Sequence, residues 1–157
     1  GLFTKEENKL VSIMTFSKPR YTKEYEYELM RFVNILDTNI IGAGSKLLKY
    51  FEINYQPISL ISYGNRRWTY SLKNFYKTTN FEYIKSSPIN YYYFIPKLNT
   101  KLYHRSVFQK HKIKKYFETE KYNIKKFNKE ETETINLYKN GYRKIYDSGQ
   151  LIYVIKY

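Results

Sequence analysis

Residues 40–63 constrain the fold more than any other part of the chain. "IIGAGSKLLKYF" sets Gly42 and Gly44 directly before an amphipathic run with Leu47, Leu48 and Phe51 on one face. The pattern predicts a helix from Ser45 to about Asn54, with Ser45 as its N-cap. Pro57 closes the run. "ISLISY" then follows as a near-continuous apolar stretch, which fits a central strand buried on both faces. A helix joined by a glycine turn to strands on either side implies a mixed α/β domain. The same turn has a second reading. Backbone N–H groups at a Gly-x-Gly helix start can hold a pyrophosphate, which makes Gly42, Ala43, Gly44 and Ser45 the candidate cofactor-binding residues. The simpler reading is a tight strand-to-helix turn that needs positive φ.

Before this segment, Leu2-Phe3 and Leu10 to Phe16 read as a hairpin, and Tyr25 to Asn34 ("YEYELMRFVN") as a third strand. After it, "NRRWTYSLKNFYKTTNF" holds an expected short helix ending near Thr78, and "FEYI" and "NYYYFI" read as strands around Ser86-Ser87-Pro88. "RSVFQKHKIKKYF" reads as a basic helix. "KEETETINLYKNG" has helix polarity, acidic first and Lys139 last, with Gly141 as terminator. "YRKIYDSGQLIYVIKY" reads as a closing β-hairpin turning at "DSGQ". Residues 112–130 are the most linker-like, although Phe117, Tyr122, Ile124 and Phe127 lie within them. The fold class expected is α/β (α+β), in one domain over 1–157.

Charge narrows the partner. The 157 residues carry 28 Lys plus Arg against 14 Asp plus Glu, a net +14, which favours a polyanion, nucleic acid before membrane. There is no Cys, so disulfides and thiolate chemistry are excluded. No apolar run approaches the ~20 residues of a membrane span, so no membrane partner is expected. No signal peptide is visible, so the expected setting is intracellular, cytoplasmic or organellar, and not secreted. Heavy use of Tyr, Lys, Ile and Asn fits an AT-rich genome such as that of a phage or organelle.

The motif order carries a resemblance. "VSIMTFSKPR", "YELMRF", "GAGSKL", "SYGNRRW", "NFYKTTNF", "PINYYYF", "FQKHKI" and "GYRKIYDSGQLIY" follow one another across almost the whole chain. In this order they resemble a GNAT acyltransferase-type fold and, within it, the phage Mom DNA-modification protein. Closer still, they are similar to the C-terminal domain of phage and mobile-element homing endonucleases with a Vsr-like nuclease domain. The resemblance implies a GNAT-like mixed sheet flanked by helices, with a splay between the strands carrying "YELMRFVN" and "SLISY". It implies that a first strand and helix, and a nuclease domain, precede Gly1. It makes acetyl-CoA or a related cofactor the group for the glycine turn, and Glu28, Arg31 and Asn65 the candidate catalytic positions. Glu28 and Arg31 lie three apart on a strand, so they face opposite sides unless a bulge intervenes. Where the family has Asp, this chain has Asn65, and an amide cannot act as a general base. Two residues are inserted after Trp68, and the glycine expected before the "LY" helix is missing.

Those departures favour binding over catalysis, with no cofactor required. Arg66, Arg67 and Trp68 follow a central strand, where α/β folds place ligand loops; guanidiniums suit phosphates and an indole stacks on a base. His104, Arg105, Lys110, His111, Lys112, Lys114 and Lys115 form a second candidate phosphate surface, with Lys110 and Lys114 on one helix face and His111 and Lys115 on another. Tyr91 to Tyr93 could add stacking. The two histidines have no carboxylate at ligand spacing, so no metal is expected. The function expected is a nucleic-acid-binding domain, for DNA or RNA, derived from a homing endonuclease tail. One alternative is a structural component of a ribonucleoprotein among other proteins, such as a ribosomal protein recruited from a mobile element. Another is a Mom-like or GNAT acyl- or base-modifying enzyme.

Overall fold

Three strands of alternating pattern precede the helix: β1 (Leu2–Phe3), β2 (Leu10–Ser17) and β3 (Tyr27–Asn34), paired antiparallel in that order. The expected hairpin and third strand are therefore present in this computed structural model, which describes residues 1–69, 74–96 and 101–157. α1 (Ala43–Tyr55) begins two residues before the expected start. Gly42, not Ser45, is its N-cap, because only a residue at φ +74° turns the chain into the helix here. Leu47, Leu48 and Phe51 are buried, as the periodicity predicts. β4 (Ser59–Asn65) returns parallel to β3, with Leu60 and Ile61 both buried.

β3 and β4 pair only through Tyr27↔Leu60, Glu28↔Ile61 and Leu29↔Ser62. Beyond Leu29, β3 stays with β2 while β4 continues against β9 (Gln150–Lys156), so the two strands part. A bulge sits where they separate. Thr15 pairs with Arg31 and Phe16 with Leu29, which leaves Met30 as the extra residue. β5 (Glu82–Ser86) pairs with the other edge of β9, giving the sheet order β1-β2-β3-β4-β9-β5. Two short helical turns follow β4, α2 (Arg66–Thr69) and α3 (Phe75–Thr78). α3 ends at Thr78, where the short helix expected in this stretch ends; residues 70–73 of the stretch lie outside the described residues. α1 and α3 share one sheet face. Its core joins Met14, Leu29, Leu47, Phe51, Leu60, Phe81 and Tyr153, with Phe16 stacked on Phe51 at 3.6 Å.

The described residues form two compact units, Gly1–Pro88 with Gly149–Tyr157, and Ile89–Ser148. The second unit has its own three-stranded antiparallel sheet, β7-β6-β8, from β6 (Tyr91–Phe94), β7 (Tyr103–His104) and β8 (Arg143–Tyr146). Its core is Tyr93, Phe108, Ile113, Ile124, Leu137 and Tyr142. The basic helix is split in two: a 3-10 turn over Arg105–Phe108, then α4 (Lys110–Glu118). α5 (Glu133–Lys139) is capped by Thr132, whose hydroxyl accepts from the Ile135 N–H. The expected closing hairpin does not form. β8 pairs with β6 and β9 with β4 and β5, so "DSGQ" joins two sheets rather than two paired strands. No helix among the described residues is long and apolar enough to cross a membrane.

Candidate functional site

In the glycine turn, steric demand accounts for both glycines. Gly42 supplies the left-handed φ, and no atom lies within 4 Å of where its Cβ would be. Gly44 is buried; a Cβ there would stand 2.7 Å from the Phe75 ring and 3.3 Å from Phe32. The Ala43 N–H already donates to the Ile40 carbonyl at 3.2 Å. α1 has no side-chain cap and no acidic residue in its first turn, so its N-terminal potential is uncompensated within the helix. Ser45 lies on the rim of an open groove of about 670 Å³, shared with Lys46, Lys49 and residues 78–80.

The bulge corrects the placement of Glu28 and Arg31. Glu28 pairs with Ser17 and Arg31 with Thr15, and those two β2 residues share a face, so Glu28 and Arg31 do as well. They nevertheless have different surroundings. Glu28 is 1 % exposed and held by Arg20. The Arg20 backbone N–H donates to Oε2 at 2.9 Å, while Nε and Nη2 donate to Oε1 at 3.2 and 2.8 Å. Arg31 is exposed. Burial, then the Glu28 charge, raises the Tyr63 phenol above its usual range on the same face. Arg20 was missed as a site residue, although it closes the "SKPR" motif; nothing local in the sequence shows which carboxylate it meets.

At the end of β4 four sequence-predicted residues, Asn65, Arg66, Arg67 and Trp68, follow one another. Asn65 does structural work there. Its side-chain oxygen accepts the Arg67 N–H at 2.9 Å and its carbonyl accepts the Thr69 hydroxyl at 2.8 Å, which fixes the first turn of α2. The Arg66 N–H donates to the Gly149 carbonyl at 3.1 Å. Trp68 stands 73 % exposed, with the Arg67 guanidinium 5.1 Å from its ring centre.

In the second unit the basic residues divide. His104 caps the 3-10 turn: its Nδ1 accepts the Ser106 N–H at 3.3 Å, and Nε2 meets the Asn90 amide at 3.0 Å. Arg105 lies over the Tyr91 ring at 5.9 Å. The Lys112 ammonium donates to the Ser106 carbonyl at 2.8 Å. Lys115 is exposed away from these contacts. Lys110, His111 and Lys114 line an open groove of about 920 Å³, whose other wall is Phe127, Asn128 and Lys129. That wall falls in the linker-like stretch 112–130; its one sequence signal is the basic–aromatic alternation of "KKFNK".

The Phe127 wall is held by side-chain amides. Asn140 Oδ1 accepts the N–H groups of Lys125 and Lys126 at 2.7 and 2.9 Å, and its amide N–H donates to the Lys126 carbonyl at 2.7 Å. Asn136, 1 % exposed, accepts the Asn128 N–H at 2.7 Å and donates to the Asn128 carbonyl at 2.9 Å. Asn136 of α5 and its C-cap Asn140 thus pair with the strap as a neighbouring strand would. Tyr93 is 1 % exposed and belongs to the core, so it cannot stack on a base; of the Tyr91 to Tyr93 run, only Tyr91 and Tyr92 are partly accessible.

No His, Asp and Glu side chains come together in a group of three that could hold a metal, among the described residues. Comparison with models of known protein families finds no match, and comparison with curated proteins finds none either.

Proposed function

We propose that the chain is a nucleic-acid-binding domain, derived from a homing endonuclease tail, that binds without catalysing. The observation that carries this reading is Trp68. Tryptophan is highly buried on average, yet this one stands in solvent beside the Arg67 guanidinium at the end of the central strand. Adjacent Arg side chains suit phosphate oxygens, and an open indole face suits an unstacked base. The net +14 supplies the long-range attraction. Two features weigh against the enzyme reading. Glu28 is engaged by three donors from Arg20, and the Asn65 amide is a helix cap where an acid would be wanted. The sheet order, the parting of β3 from β4 and the glycine turn support descent from the GNAT-like group. The reading needs no cofactor at Gly42–Ser45, and it implies an intracellular or organellar setting with DNA or RNA as partner.

The test is a titration of fluorescent DNA and RNA across a salt series. Affinity should fall steeply with salt, because phosphate contacts release counterions. Arg66→Ala with Arg67→Ala should weaken binding across all sequences alike and flatten the salt slope by about one to two units. Absence of binding at low salt, or an unchanged slope in the double variant, overturns the reading.

A further inference from the structure

We infer that the groove between α4 and residues 127–129 grips a single strand of nucleic acid, with a base stacked on Phe127 and flanking phosphates on Lys110, Lys114 and Lys129. The inference rests on the nucleic-acid reading above and adds a second site with a strand preference.

The groove combines what a single-strand site needs. Its two walls come from different elements, and each brings cations: Lys110, His111 and Lys114 from the first turns of α4, Lys129 from the strap. The strap wall presents one aromatic ring, Phe127, half-buried against the core and 6.3 Å from Phe117 between ring centres. Phe117 is three positions beyond Lys114 on α4, so cations and aromatic backing run along one helix face. At about 920 Å³ the groove falls within the range of pockets that take a ligand-sized group.

The nearby carboxylates do not close it. Glu118 lies 3.9 Å from Lys114, and Glu130 lies 3.8 Å from Lys129; both pairs are exposed, and exposed pairs of this length are weak enough for phosphate to replace. Glu133 accepts the Lys110 backbone N–H at 2.8 Å and so faces the main chain. The strap itself is fixed by Asn136 and Asn140, so the Phe127 ring is positioned before any ligand arrives. A stacking ring in a basic groove favours unpaired bases, since every base presents a π-face only when it leaves the duplex.

The probes are fluorescein-labelled oligothymidylate and oligouridylate of about 12 nucleotides, and a duplex of similar length, titrated against the full chain by anisotropy. Wild type should bind the single strands more tightly than the duplex at equal salt. Phe127→Leu keeps the apolar packing but removes the π-face, and should weaken single-strand binding by about 5- to 150-fold while leaving duplex binding near its wild-type value. Phe127→Trp should retain the preference. Lys110→Gln with Lys114→Gln and Lys129→Gln, all on the surface, should flatten the single-strand salt slope by about two units. Circular dichroism confirms that each variant is folded. If Phe127→Leu binds oligothymidylate and oligouridylate as wild type does, or the triple variant keeps the full slope, the groove is not the site. In that case the wider function still stands provided the Arg66 and Arg67 variant weakens binding. If wild type binds no probe at low salt, the wider function fails first.

Discussion

Gly42 and Gly44 are two positions apart and meet different demands. Gly44→Ala would press a Cβ to 2.7 and 3.1 Å from the Phe75 ring, an overpacking that should cost about 1–3 kcal/mol. Gly42→Ala meets no neighbour; its cost is the left-handed φ of +74°, about 1 kcal/mol. Shortening the ring with Phe75→Leu should therefore recover part of the Gly44→Ala loss and none of the Gly42→Ala loss. Urea unfolding of the single and double variants measures both couplings, and equal coupling would refute the distinction. The sequence displays both glycines but not this division, because Phe75 reaches Gly44 only after the chain has folded back from β4. The same holds for Glu28. Its strand position is legible, but one extra residue at Met30 changes which face Arg31 takes, and no alternation pattern registers a bulge.

The strap over residues 125–129 is the element that hydropathy conceals. Its lysines make it look like a linker, and it is held by Asn136 of α5 and the C-cap Asn140 rather than by an apolar stripe. Ile124 anchors its start in the core. Asn136→Leu would leave the Asn128 N–H and carbonyl without these partners, at a cost of about 2–4 kcal/mol; Asn140→Ala, nearer solvent, should cost about 1 kcal/mol. Chemical unfolding monitored by tyrosine fluorescence checks the order, and a larger loss at Asn140 would contradict it. α1 by its apolar face, β4 by its continuous apolar run and α5 by its charge order and Gly141 were legible within a few residues. The closing hairpin was not. "DSGQ" has turn chemistry, but whether the flanking strands pair depends on which sheets need them, and that is a long-range property.

At the scale of the molecule, several tyrosine phenols are wholly or partly withdrawn from water. Burial raises Tyr93 to about 12, and raises Tyr76, Tyr142 and Tyr157 as well. The neutral phenol is the form the fold prefers, so this stability is full below the ordinary value near ~10 and drains away as pH climbs through the folded values. Lysines lose charge over the same range, which relieves self-repulsion and acts in the opposite sense; high salt screens that term and isolates the phenols. Absorbance of tyrosinate and circular dichroism, followed against pH in high salt, should show a late-ionising group that appears together with loss of structure. Ionisation of all tyrosines near ~10 with the fold intact would contradict this. One further consequence lies in β9, which enters the middle of the first sheet between β4 and β5 although it is drawn from residues 150–156, after the whole second unit. During synthesis, β4 and β5 leave the ribosome with their facing edges bare, and Ser62 waits for Tyr153 until the second unit has been made. Contacts of such sequence separation slow folding and leave strand edges open to wrong partners. The second unit, whose strands pair within itself, is thus positioned to fold first and to deliver the strand that completes the sheet made before it.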